Sequence, residues 1–178
     1  MSNTLTDLKS IFWNMSKMCL ADIIKEDQDR WIRKMYPKNG APDWKVDDNI
    51  VFLNLSSRDD DYGKQWDTVY RNAPGTMLKK SRRTRVWDLF AAAYGPKAFE
   101  MATAMQDGVY LEAVRAYLAK HNIYVVTYLQ PPVQSNEIFA GQWWERWNVT
   151  LTFNERYDVA EDVSYYDKIT LIPRSNPL

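Results

Sequence analysis

The stretch Gln142-Trp143-Trp144-Glu145-Arg146-Trp147-Asn148-Val149-Thr150-Leu151-Thr152-Phe153-Asn154-Glu155-Arg156-Tyr157 alternates apolar and polar side chains. Trp143, Trp147, Val149, Leu151 and Phe153 share one parity. Trp144, Arg146, Asn148, Thr150 and Thr152 share the other. Successive side chains of a strand point to opposite faces, so this pattern predicts one long β-strand over residues 142–157. One of its faces lines a core.

Outward from that strand, residues 165–172 read as a final strand stopped by Pro173. Residues 123–129 read as another from their β-branched and aromatic content, ended by Pro131-Pro132. Before it, Gly95-Pro96 opens a helix that runs to about Lys120, with Ala98, Met101, Ala102, Met105, Val109, Ala113 and Tyr117 on or beside its apolar side. Gly108 weakens its middle by about 1 kcal/mol relative to Ala. Lys120, His121 and Asn122 suit its C-terminus. Residues 82–94 read as a long strand, although 89–93 also suits helix. Residues 50–56 and 65–71 read as strands joined by a polar turn at 58–63, a hairpin in which Trp66, Thr68 and Tyr70 share a face. A further turn falls at Asn72-Ala73-Pro74-Gly75. Residues 31–45 read as a connector, rich in turn formers.

At the N-terminus, Thr4 and Asp7 form a capping pattern for a helix over residues 6–25. Its stripe is Leu8, Ile11, Phe12, Met15, Met18 and Cys19. The expected fold is a single α+β domain over residues 1–178: a mainly antiparallel sheet packed by two long helices.

The chain has 178 residues, 46% hydrophobic and 26% charged, a globular balance. Lys plus Arg and Asp plus Glu each number 23. A surface built to grip nucleic acid would be basic, which excludes DNA binding over the whole surface. Zero net charge also leaves little repulsion between copies. Cys19 is the one cysteine, so no intrachain disulfide forms, which suggests a reducing compartment. The first residues do not read as a signal peptide. No run approaches the ~18 apolar residues of a membrane span, so no membrane partner is expected.

The chemistry is sparse. His121 is the one histidine, so a zinc site or a Ser-His-Asp arrangement lacks its parts. Phosphate-cradling glycine motifs are absent. Asp59-Asp60-Asp61 reads as a solvated turn and not a cation loop. Glu145 and Glu155, each followed by an Arg, read as sheet-surface charge and not a glycosidase pair. Neither an enzyme nor a cofactor is expected.

Two features point to partners. Lys79-Lys80-Ser81-Arg82-Arg83-Thr84-Arg85 places five cations in seven residues. It admits three readings: phosphate contact, docking on an acidic protein surface, or a solvated edge. The second feature is the aromatic excess of eight Trp, eleven Tyr and six Phe. Trp143, Trp144 and Trp147 fall on both faces of one predicted strand, so a face beyond the core meets something apolar. A sugar-binding platform of these tryptophans is the competing reading.

The stretch Ala93-Tyr94-Gly95-Pro96-Lys97-Ala98, the helix after it, and Leu118-Ala119-Lys120-His121-Asn122-Ile123 resemble the neck or tail terminator proteins of tailed bacteriophages. The strand Trp144-Glu145-Arg146-Trp147-Asn148-Val149-Thr150-Leu151-Thr152-Phe153 and the closing Ile169-Thr170-Leu171-Ile172 fit the same pattern. The resemblance is strongest over residues 84–173. It implies an α/β sandwich and a virion structural protein, assembled in the host cytoplasm as a homo-hexameric ring. Such a ring caps the tail tube, ends its polymerisation, and offers a surface to the head-completion or connector protein, with the sheath protein a further partner. DNA in the lumen touches it only transiently and without sequence preference. A connector of the neck is the alternative within the class. The assembly residues expected are Lys79, Lys80, Arg82, Arg83, Arg85, Trp143, Trp144 and Trp147, with the loop around 131–139.

Overall fold

A computed structural model describes residues 3–36, 44–73, 76–127 and 129–164. The predicted strand at 165–172 lies outside them. In chain order the elements are α1 (Leu5–Cys19), α2 (Gln28–Trp31), β1 (Ile32–Lys34), β2 (Ile50–Arg58), α3 (Asp61–Lys64), β3 (Asp67–Ala73) and β4 (Thr76–Tyr94). They continue with α4 (Ala98–Gly108), α5 (Glu112–Lys120), β5 (Ile123–Val125), β6 (Val133–Gln134), β7 (Glu137–Phe139), β8 (Gln142–Trp144) and β9 (Arg146–Val163). The fold is α+β with a mostly antiparallel sheet, as the sequence predicts.

The sheet grows from one long ribbon. β4 and β9 pair antiparallel from Tyr94↔Arg146 to Met77↔Val163. At one end, β2 lies on the outer side of β4 and β5 on the outer side of β9, giving the order β1-β2-β4-β9-β5. β1 joins β2 in parallel, within the region read as a connector. At the other end, β3 pairs with β4 over 76–82. The expected hairpin of residues 50–56 with 65–71 is therefore corrected: both strands pair with β4, end to end, and a short helix stands between them. Thr68 and Tyr70 do share a face, opposite Ser81 and Lys79.

The core follows from strand parity. Val51, Leu53, Trp87, Leu89, Ala91, Ala93, Val149, Leu151 and Phe153 form one face of the sheet and are buried with α1, α4 and α5. At its centre the rings of Phe12 and Phe153 lie 4.8 Å apart. Ala91, Ala92 and Ala93 are strand despite their helix preference. Neighbours on both sides supply ladder partners, and a burial of 0–1% exposure leaves room for nothing larger.

α1 starts where the sequence places it. The Thr4 hydroxyl accepts from the Asp7 N–H at 3.2 Å, and the Asp7 carboxylate accepts from the Thr4 N–H at 2.9 Å. It ends at Cys19, short of the expected Lys25. The expected long central helix is two helices. α4 ends at Gly108, and α5 begins at Glu112 after an extended Leu111. A Cβ on Gly108 would stand 2.8 Å from both Cβ and Sγ of Cys19, so only glycine lets α4 approach α1 this closely. The buried Cys19 thiol has its pKa pushed up to about 12 by that burial. Asn122 closes α5 in the left-handed region, φ 59°, as its type suggests.

Candidate assembly surface

Past the helices, β4 and β9 run on with β3 as a three-stranded arm. Among the described residues, helices back the sheet only as far as Glu155, and beyond it none whose burial is described in β3 or β9 is buried. Three strands need an apolar face or a helix against them to be stable alone. The arm has a different support, a set of cross-strand ion pairs. These are Lys79 with Glu161 at 2.6 Å, Arg82 with Asp158 at 2.8 Å and Lys80 with Asp158 at 3.5 Å. Burial works against the Asp158 charge. The hydrogen bond from Arg82 and the charges of Arg82, Lys80 and Arg156 outweigh it and hold the carboxyl below its ordinary range. The hydrogen bond from Lys79 to Glu161 raises the ammonium above its own.

The five cations of residues 79–85 do not form one patch. Strand parity sends Lys79, Arg83 and Arg85 to the helix-side face and Lys80 and Arg82 to the other. Arg83 lies over the rings of Trp66, at 4.9 Å, and Tyr157, at 5.4 Å. Arg85 points into the molecule, to Glu155.

Glu155 corrects the reading as surface charge. It is 0% exposed. Its carboxylate accepts from Arg85 Nε and Nη2 at 2.9 and 2.8 Å, from Trp87 Nε1 at 2.8 Å and from Asn3 Nδ2 at 3.0 Å. Asn3 Nδ2 also reaches the His121 carbonyl at 2.9 Å, and Arg85 Nη2 the Asn3 carbonyl at 3.0 Å. This network joins the chain start, the end of α5 and the root of the arm. Its signal in the sequence was parity: residue 155 falls on the face of Val149, Leu151 and Phe153.

The tryptophans part company. Glu145 interrupts the predicted strand, so β8 and β9 are separate and the alternation does not carry across. β7 and β8 make a small hairpin whose turn, Ala140-Gly141, has φ of 50° and 76°, both in the left-handed region. It folds over the helix-free face of the large sheet. There Glu137 pairs with Arg146 and accepts from the Tyr94 hydroxyl at 3.0 Å. The Trp144 ring meets Trp44 at 4.5 Å, edge on, and Trp44 also touches Phe52 and Tyr94. Trp147 packs its edge on Phe99 at 4.8 Å and donates to Glu145 at 2.9 Å. Trp143 faces outward, 67% exposed, across the ladder from Ile138 at 62%. Three tryptophans in three environments do not make a sugar platform. The hairpin's first strand, β7, falls in the region read as a loop, and its second, β8, at the start of the predicted long strand.

The residues weighed for catalysis are not brought together. His121 is half-buried at the end of α5, its ring on Tyr117. Lys64 holds Asp59 and Asp61. Glu145 and Glu155 lie about 30 Å apart along extended chain, too far for a glycosidase pair. Among the described residues, no group of three or more His, Cys, Asp or Glu could hold a metal ion. No helix among them is long and apolar enough to cross a membrane.

In comparison with known proteins, the family model described as phage neck terminator protein matches residues 7–173. No curated protein matches the chain.

Proposed function

This chain belongs to the phage neck terminator family, and from that premise we propose that its copies assemble into a hexameric ring that caps the tail tube. The ring ends tube polymerisation and offers its other side to the head-completion or connector protein. One observation carries this reading: the arm of β3, β4 and β9 leaves the core with its ladder formed and, among the described residues, nothing covering it. Val69 at 53%, Tyr70 at 57% and Trp66 at 47% exposure lie on or beside β3. Aromatic residues and arginine at such a surface are the usual anchors of an interface. The outward pair of Ile138 and Trp143 is a second contact, separate from the arm and held rigidly by Glu137, Arg146 and Trp144.

Of the three readings of residues 79–85, the ion pairs favour protein docking over phosphate contact. Lys79, Lys80, Arg82 and Arg85 already meet carboxylates of β9, so little net charge is left for DNA. Contact with DNA in the lumen is then brief and unspecific. Lys79, Lys80, Arg82, Arg83 and Arg85 act as the framework of the arm. Trp143 is the tryptophan placed to touch a partner directly, while Trp144 and Trp147 hold its hairpin and the adjoining sheet.

The test uses purified tube protein with and without this chain. Native mass spectrometry should find six-copy rings, alone or on tubes, and electron microscopy should find tube growth stopped at a capped end. Trp143→Ser should leave the fold intact and weaken capping. A chain that stays monomeric with tube protein present, and leaves tube length unchanged, overturns the proposal.

A further inference from the structure

Two edges of the arm are open among the described residues: the outer side of β3 over Asp67–Ala73, and the outer side of β9 over 157–163, past the point where β5 ends. The two are level. β3 lies against residues 76–82 of β4, and this part of β9 lies against 77–83. Both strands are antiparallel to β4, so they run in the same direction. A sheet with two different open edges of equal length and like direction can add to itself head to tail. Such a contact is heterologous and generates a ring when the rotation closes.

Charge says which residues would meet. Arg71, Leu78 and Asp162 form one rung across the arm, on the helix-free face. Arg71 and Asp162 are both exposed. Neither has an ion-pair or hydrogen-bond partner among the described residues, whereas Asp158 and Glu161 beside them are paired. Within one copy they stand two ladder steps apart, about 9–10 Å, with Leu78 between them. A second copy added in level register closes that gap to one ladder step. The same register sets the small Ala160 beside the exposed Val69, through the rung at Lys80. It also brings Asp67 near Asp158, where Arg82 and Lys80 already take up the second charge. The molecule as a whole is neutral, so nothing at longer range opposes the approach.

We propose that copies of this chain join edge to edge through the arm, residues 157–163 of one copy pairing in parallel with Asp67–Ala73 of the next, and Asp162 of one against Arg71 of the other. This rests on the ring reading above and assigns its subunit contact. Unpaired edges are otherwise a standing risk of uncontrolled association, and closure into a ring removes both at once.

Charge reversal tests it. Arg71→Glu and Asp162→Arg should each weaken assembly about tenfold in concentration, and the two together should restore it. Both sites are exposed and, among the described residues, unpaired, so each variant should fold. A second measurement is independent of charge. In the full chain with Arg71→Cys and Asp162→Cys, mild oxidation should give disulfides between copies, seen as a ladder of linked chains on a non-reducing gel. An intrachain bond is barred, because two ladder steps exceed the ~7 Å Cα limit of a disulfide. Cys19 is buried and does not compete. Rings that form without that cross-link overturn the edge assignment and leave the ring standing. A monomer at every concentration, tube protein included, overturns both. In a chain with Asp162→Cys and Thr170→Cys, a disulfide within one copy gives the β9 edge to residues 165–178 of the same chain, and overturns the edge assignment alone.

Discussion

Glu155 is a fully buried carboxylate with four donor contacts, and Arg85 is its only cation among the described residues. Taking two charges out of water is costly, and geometry this complete offsets the cost. Removing the carboxylate alone would leave Arg85 Nε and the Trp87 N–H without the acceptor they share, Glu155, with the Asn3 carbonyl still accepting from Arg85 Nη2. Glu155→Ala should therefore destabilise the fold by about 3–5 kcal/mol, measured by urea unfolding. Glu155→Gln should cost less, because its amide oxygen still accepts from one donor. The sequence misled at this residue through its neighbour: Glu155-Arg156 looks like a surface pair. The alternation that predicts β9 already places position 155 inward, and strand parity was the better guide.

At the scale of elements, legibility depended on whether the deciding contact was local. The cap of α1 was readable because Thr4 and Asp7 are three residues apart and bond each other's backbone. Thr4→Ala should cost about 1 kcal/mol by thermal unfolding. The hydrogen bonds from the Thr4 side chain and backbone hold the Asp7 carboxyl below its ordinary value. A group with a depressed folded pKa stabilises above its unfolded pKa and loses that contribution as pH falls through the folded one. The difference between wild type and Asp7→Asn should thus be present near neutral pH and disappear below about pH 4. The break between α4 and α5 was not readable from spacing alone, and the contact of Gly108, which ends α4, with Cys19 on another element leaves no local pattern. Helix propensity alone makes Gly108→Ala stabilising by about 1 kcal/mol. The 2.8 Å approach to Cys19 says the reverse: overpacking should leave the variant about 1–2 kcal/mol less stable in denaturant melts. The β7–β8 hairpin was missed for a third reason. Its turn is Ala-Gly, and the alanine holds a left-handed φ that the usual Asn or Asp signal would have announced.

For the whole molecule, the division between a helix-backed end and a bare arm makes stability uneven along single strands. β4 passes from Val86, Trp87 and Leu89, buried at 9% exposure or less, to a run from 76 to 85 in which nothing is buried. β9 does the same beyond Glu155. Among the described residues, ladder hydrogen bonds in the arm are covered by the stack of Arg83 on Trp66 and Tyr157 and by partly exposed ion pairs, each of which contributes little and weakens with salt. Local opening is least costly where few apolar contacts are lost. In the dispersed monomer, amides of β3 and of residues 157–163 should exchange with deuterium well before those of residues 86–94 and 147–155, and sooner still at high salt. If the arm is the subunit contact, assembly supplies the missing cover, and protection of the two outer edges should rise together on ring formation while the helix-backed half changes little. If the outward pair of Ile138 and Trp143 is the main subunit contact instead, protection should rise around β7 and β8 and leave the arm as it was. Exchange mass spectrometry on monomer and assembled protein separates these outcomes. It does so through backbone amides, which a charge-reversal or cysteine variant leaves in place.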